Sequence, residues 1–329
     1  MYYSFIIPVF NRPDEVRELL ESLTVQTYSF FEVIIVEDGS SIPCKEVVEQ
    51  YEDRLNIHYF EKPNSGPGQT RNYGAEKAKG DYLLIVDSDV ILPPDYLSEV
   101  EKDLQTLPAD AFGGPDRAHP SFTDLQKAIN YSMTSFFTTG GIRGGKKKLD
   151  KFYPRSFNMG VRREVYQELG GFSNMRFGED IDFSIRIFKA GYVCRLFPEA
   201  WVWHKRRTDF EKFFKQVHNS GIARINLYKK YPESLKAVHL LPAVFTLATG
   251  FFLLCALFYG VGLLPLLLYA FLVFADSTNK NRSLRIGFLS AIAAYIQLIG
   301  YGSGFLYAWW QRCVLGKDEF TAFNKSFYK

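Results

Sequence analysis

Cysteine is scarce in this chain: four residues in 329, at positions 44, 194, 255 and 313, with no CxxC pair. That excludes a disulfide scaffold and a cysteine-ligated zinc site, and it fits a reducing compartment. Phosphate loops are missing as well. Neither GxGxxG nor GxxxxGK(S/T) occurs, and Gly66-Pro67-Gly68 lacks the lysine of a phosphate loop, so dinucleotide and P-loop readings are weak. The opening residues, MYYSFIIPVFNRPDE, carry no basic n-region and only a short apolar run, which reads as a first strand and not as a secretory signal. A surplus of charge is also absent from most of the chain. Residues 1–236 hold 32 Lys/Arg and 33 Asp/Glu, so bulk charge gives no nucleic-acid binder. With 47% hydrophobic and 16% aromatic residues, the chain is not disordered.

The most informative absence is local. From Leu240 to Ala275 there is no charged residue over 36 positions. One bilayer crossing takes about 20 apolar residues, so this run is too long for one helix. Gly260, Gly262 and Pro265 divide it into a hairpin of about 238–259 and 262–276, the second arm short enough to be tilted or re-entrant. A further charge-free stretch covers 286–310, and its Gly300-Tyr301-Gly302-Ser303-Gly304 run either lets helices approach or breaks the helix. A buried soluble core is the competing reading, but cores rarely need so long an uncharged run. Lys229, Lys230 and Lys236 precede the first stretch, and Lys280, Arg282 and Arg285 lie between the second and third. The positive-inside rule puts both groups, and with them residues 1–208, in the cytoplasm of a bacterial-type inner membrane. Three crossings would place the tail, 312–329, outside.

What remains is an alternation of buried strands and amphipathic helices. Phe5–Val9, Phe31–Val36, Asn56–Phe60 and Tyr82–Val86 read as strands. Pro13–Thr27 and Pro67–Lys79 read as helices. The pattern implies a mostly parallel Rossmann-like α/β sheet with ligands at the carboxyl ends of its strands. Asn11, Asp38 and Asp87/Asp89 sit at those ends. In Asp87-Ser88-Asp89 the alternation of an extended segment turns two carboxylates to one face. A hard divalent ion, Mg²⁺ or Mn²⁺, would relieve their repulsion, although a solvated turn fits the same residues.

These residues together resemble a family 2 glycosyltransferase of the GT-A fold. The resemblance rests on Pro8-Val9-Phe10-Asn11-Arg12, Val36-Glu37-Asp38-Gly39-Ser40, Gly68-Gln69-Thr70-Arg71-Asn72-Tyr73-Gly74, Asp87-Ser88-Asp89, Gly170-Gly171-Phe172 and Gly178-Glu179-Asp180-Ile181-Asp182, in family order over residues 4–204. It implies that Asp38 reads the base of a UDP- or GDP-linked sugar in a pocket lined by Pro8, Asn11 and Arg12. Arg71 would approach the ribose and diphosphate, and Asp87 the ribose or a metal-bound water. Asp89 would hold the metal with help from His204, and Asp180 would serve as the general base of an inverting transfer. Glu179, Asp182, Arg155 and Asn158 would line the acceptor or sugar pocket. Taken by themselves, Arg71 also fits a surface ion pair, the acidic run a helix-dipole complement, and His204 a buried structural residue.

Two further stretches bear on the acceptor. Phe136, Phe137, the glycines of 140–145 and Lys146–Lys148 make an aromatic, basic segment that fits a closing loop, a headgroup contact or a solvated loop. Residues 209–231 repeat apolar positions among lysines, as an interfacial helix does or as a helix packed on the catalytic domain does. Gln216-Val217-His218-Asn219-Ser220 departs from the QxxRW signature of processive members. The resulting expectation is a non-processive transferase acting on a lipid-linked or glycan acceptor. A polyprenyl-phosphate transferase and an inactive membrane scaffold are the alternatives. The domains expected are 1–208 catalytic, 209–236 interfacial, 237–311 transmembrane and 312–329 tail.

Overall fold

The computed structural model describes residues 1–139 and 152–319. The basic run expected over Gly140–Lys148 and residues 320–329 of the tail lie outside that range. In chain order the elements are β1 (Tyr3–Val9), α1 (Pro13–Thr24), β2 (Phe31–Asp38), α2 (Lys45–Glu49), β3 (Ile57–Lys62), α3 (Pro67–Lys77), β4 (Tyr82–Val86), β5 (Val90–Ile91), α4 (Tyr96–Thr106), β6 (Ala111–Gly113) and β7 (Asp116–Arg117). There follow α5 (Asp124–Thr134), α6 (Phe136–Thr139), β8 (Asn158–Arg162), α7 (Arg163–Glu168), α8 (Glu179–Lys189), β9 (Cys194–Leu196) and β10 (Val202–His204). Four long helices come next: α9 (Phe210–Lys230), α10 (Leu241–Phe258), α11 (Leu264–Asn281) and α12 (Leu284–Trp309). They form two compact units, one of residues 1–119 and 152–204, the other of residues 120–139 and 205–319.

The first unit is a seven-stranded sheet in the order β3-β2-β1-β4-β8-β6-β9. Its strands are parallel except β8, which runs antiparallel to β4 and β6. All eight residues of β2 are buried, as a central strand covered on both faces requires. Helix α1 starts on Pro13, whose missing N–H costs nothing in a first turn, and buries Val16, Leu19, Leu20 and Leu23. Gly74 lets α3 lie close to the sheet: a Cβ there would sit 2.8 Å from Ile6 Cγ2. Parallel pairing brings the carboxyl ends of β1, β2, β3 and β4 to one edge. Because β8 runs the other way, its first residue, Asn158, reaches the same edge opposite Val86. A small second sheet, β5-β10-β7, pairs His204 with Val90 and so sets the histidine beside Asp89.

The second unit gathers α5, α9, α10 and α11 around α12. Three segments, Ala237–Phe258, Gly260–Asn281 and Leu284–Val314, are long and apolar enough to cross a bilayer. They support an integral-membrane protein carrying a soluble α/β unit. The expected second arm, 262–276, is longer in the structure, since α11 continues to Asn281. Asp276 does not stop it: its carboxylate accepts from Lys280 Nζ at 2.8 Å, four residues on, and from the Tyr131 hydroxyl at 2.5 Å. The basic loop expected before α12 is therefore only Arg282 and Ser283, with Ser283 Oγ capping α12 at Ile286 N. The glycine run does not break α12. A Cβ on Gly302 would lie 2.3 Å from the Pro242 carbonyl, and one on Gly304 2.0 Å from that of His218, so these glycines are seams against α10 and α9. Helix α9 turns Phe213, Val217 and Ile225 inward and leaves Glu211, Lys212, Lys215, Lys229 and Lys230 exposed.

Candidate active site

Asp87, Asp89 and His204 each offer one ligand atom, all within 4.8 Å of one another. His204 Nε2 lies 3.2 Å from Asp89 Oδ1, and Phe157 stacks on the imidazole at 4.8 Å between ring centroids. Arg12, leaving β1, reaches Asp89 Oδ2 at 2.5 Å. Arg71, on α3, reaches Asp87 Oδ1 at 2.7 Å. Two carboxylates and an imidazole are a hard oxygen–nitrogen set that fits Mg²⁺ or Mn²⁺. The two guanidiniums each hold one carboxylate oxygen of the pair.

Arg71 is not the surface ion pair its helical position would allow. It is 4% exposed, lies over the Phe172 ring, and extends its other nitrogen to Glu179 Oε1 at 3.2 Å. It thereby ties the end of β4 to the start of α8. Gly68 lies against the same pair, where a Cβ would meet Phe172 Cβ at 3.4 Å and Glu179 Cγ at 3.5 Å, ordinary van der Waals contacts. Burial pushes the Glu179 carboxyl up to about 7, with Asp180 adding to the rise and Arg71 only partly offsetting it. For Asp180 burial also acts upward, but Arg155 Nε at 2.6 Å and the Ile181 amide at 2.8 Å outweigh it and hold the carboxyl below its ordinary range. Neighbouring residues of one helical turn therefore differ: one tends to keep its proton and the other to lose it.

The residues expected on the donor side organise the loops at the strand ends. Asn11 takes a positive φ of 55°, tolerable for asparagine, and its Oδ1 accepts from the Ser41 and Ile42 amides at 2.8 and 2.9 Å. Pro8 lies level with Val36 across β1 and β2. Asp38 Oδ1 accepts from Lys62 Nζ at 2.7 Å and Ser65 N at 2.8 Å, and Oδ2 from Gly66 N at 2.9 Å. The buried Asp38 thus fixes the loop that leads into α3.

Two residues expected in the acceptor or sugar pocket have internal roles instead. Asn158 is 1% exposed; its amide accepts from the Tyr96 hydroxyl and donates to the Ala200 carbonyl, both at 2.7 Å. Asp182 is fully buried and holds Arg186 Nε at 3.0 Å, one turn along α8. Both lie at motif positions whose chemistry is plain, while the direction of the side chain depends on packing. Lys62 was missed altogether. Its signal was the register of β2 and β3, which sets Lys62 directly opposite Asp38.

Comparison with known proteins places this geometry. An uncharacterized glycosyltransferase of Rickettsia felis is 32% identical over 135 residues, 41% of this chain and 22% of that protein. A second, from Haemophilus influenzae, is 32% identical over 192 residues, 56% of this chain and 62% of that protein. The chain thus spans less than two thirds of the length of either relative. The fold is shared with a mannosyltransferase of Pyrobaculum calidifontis, solved in complex with GDP-Man and Mn²⁺, at a TM-score of 0.60 and 19% identity over 93% of this chain and 87% of that one. The family model for Glycosyl transferase family 2 matches residues 4–170, from the first strand through Asp87-Ser88-Asp89 to Gly170, and the chain belongs to that family.

Proposed function

We propose that the protein is an inverting, non-processive glycosyltransferase that moves one sugar from a nucleotide-diphosphate donor to a hydroxyl of a lipid-linked or glycan acceptor. The observation that carries this reading is Arg71. One buried guanidinium joins Asp87 to Glu179, so the carboxylates suited to a cation and those suited to proton transfer form a single ion-paired cluster. Asp87, Asp89 and His204 would hold the divalent ion, which when bound supplies charge stabilisation to the departing diphosphate. Pro8, Asn11, Arg12 and Asp38 would line the nucleotide side, with Arg12 and Arg71 adding positive charge where phosphates would lie. Asp180, ionised and oriented by Arg155, would take the acceptor's proton, with Glu179 and Arg155 flanking the acceptor or sugar. Direct displacement with one base inverts the anomeric centre. The Mn²⁺ and GDP-Man of the Pyrobaculum mannosyltransferase support this donor class.

The apolar helices support an acceptor at the membrane, and the basic residues at their ends support the cytoplasmic face of a bacterial-type inner membrane. In this reading residues 1–208 are catalytic and 209–236 are the interfacial connection. A polyprenyl-phosphate acceptor is a second reading with its own support. The Arg155 pairing makes Asp180 a weak base, and a phosphate acceptor is already ionised and needs none. A panel of nucleotide sugars incubated with membranes and extracted lipid, followed by mass spectrometry, separates the readings. The expected product is a glycoside whose formation stops in Asp180→Asn. A lipid-phosphate sugar formed equally by Asp180→Asn would select the second reading, and absence of any sugar transfer would reject both.

A further inference from the structure

Length and hydropathy alone admit three crossings, but the neighbours of α12 do not. Helix α9 runs beside α12 in the same direction. Phe213 packs with Ala293 and Ile296, Val217 meets Gly300, His218 Nδ1 lies 3.1 Å from Ser303 Oγ, and Asn226 accepts from Arg312 at 2.5 Å. A Cβ on Gly221 would stand 2.1 Å from the Tyr301 carbonyl, so the backbones touch midway along the seam. From residue 213 to 226 this seam covers about 20 Å at 1.5 Å per residue, some two thirds of a hydrocarbon layer about 30 Å thick. Any crossing by residues 286–310 would carry α9 into that layer. Yet α9 has six charged residues in its 21, and its outward face shows Lys212, Lys215, Lys229 and Lys230. Charged side chains facing hydrocarbon are costly and rare. On its other side α12 is lined by α5, also a polar helix, with Asp124 3.4 Å from Arg285.

The apolar surface lies elsewhere, on the α10–α11 hairpin. Its far end is uncovered on every side: Leu257, Phe258, Tyr259 and Val261 are 69–80% exposed. The hairpin leaves and rejoins α12 close together, for Thr246 Oγ1 faces the Leu298 carbonyl at 3.4 Å and Tyr295 donates to the Leu266 carbonyl at 2.6 Å. From buried Thr249 to Phe258 is about 14 Å of helix, close to the depth of one leaflet. Tyr307, Trp309 and Trp310, exposed at the end of α12, are the residue types that favour the headgroup level.

We infer that the protein is monotopic: the α10–α11 hairpin enters one leaflet and returns, α12 lies along that face without crossing, and the end of α12 stays on the side of the α/β unit. Chain continuity gives the last step, since α9 starts six residues after His204, never enters hydrocarbon, and ends where it holds Arg312. This topology does not depend on the transfer chemistry. Cys313, exposed three residues beyond Trp310, is a native probe. The full-length chain in right-side-out and inverted membrane vesicles is treated with a membrane-impermeant maleimide, and labelled peptides are located by mass spectrometry. Asp53→Cys, on an exposed turn of the α/β unit, marks that unit's side, and Cys313→Ser identifies the Cys313 signal. The expected result is that positions 53 and 313 are labelled in the same vesicle orientation and lose labelling in the other. Labelling from opposite faces, or a Cys313 protected from both until detergent is added, would overturn the inference.

Discussion

The α/β unit encloses charge, whereas the helical unit exposes hydrocarbon. In the first, Asp38, Asp89, Arg71, Asp180 and Asp182 are all less than 9% exposed, and each is ion-paired, to Lys62, Arg12, Asp87, Arg155 and Arg186 respectively. In the second, Leu257 and Phe258 stand 77% and 80% exposed with no polar partner to seek. Each arrangement is unfavourable for a soluble protein taken alone. Buried ion pairs seldom return their desolvation cost, and a contiguous apolar surface invites association. The difference teaches what each region is shaped to meet: a charged ligand in one case and lipid in the other.

Removing one side of either arrangement should break the contrast. The largest loss is expected from Arg71→Ala, which strands Asp87 and Glu179 without their shared cation; the cost should be about 3–5 kcal/mol, read as a lowered unfolding midpoint in detergent. An unchanged midpoint would mean that the pairs contribute nothing to the fold. Asp89→Ala should lower sugar transfer on the order of 10²–10³-fold and abolish Mn²⁺-dependent binding of UDP or GDP in calorimetry. On the lipid side, Leu257→Asp should weaken membrane retention by about 2.5–3.5 kcal/mol, the scale for an acidic residue at hydrocarbon depth. Sedimentation after carbonate washing reads this directly, and full retention would count against a buried hairpin tip. Gly304→Leu should cost about 1–3 kcal/mol by forcing α9 from α12, seen as faster proteolysis around the exposed Lys229 and Lys230.

The smallest effect is a distinction between two neighbouring carboxylates. A base works only when deprotonated, so the rate falls as pH drops through its pKa. With Asp180 as base, held below the ordinary aspartate range, kcat should stay level on mild acidification from neutrality. Were Glu179 the base, kcat would already be falling as pH passes downward through about 7. A kcat–pH profile of the wild type beside Glu179→Gln decides between them.

Much of this was legible in the sequence because it depended on residue type and period. Continuous apolar runs gave β1, β2 and β4, and the polar residues that end them marked the ligand edge of the sheet. Asp87-Ser88-Asp89 carried its own argument, since the alternation of an extended segment turns both carboxylates to one face, although a solvated turn fitted the same residues. What failed depended on partners. Asn158 and Asp182 looked functional by position but point into the protein, because Tyr96 and the Ala200 carbonyl hold the first and an arginine one turn along α8 holds the second. The glycines of α12 could have broken the helix, and only the closeness of α9 and α10 shows them as seams. Lys62 had no pattern of its own until the strand register set it against Asp38.

The seam between α9 and α12 also has a consequence in time. Seventy-nine residues separate the end of α9 from the end of α12, so on a ribosome adding about 5–20 residues per second the two helices are complete roughly 4–16 seconds apart. Throughout that interval Phe213, Val217 and Ile225 have no α12 to cover them. A chain cut short after the hairpin would carry on α9 a bare apolar stripe of the kind that invites association.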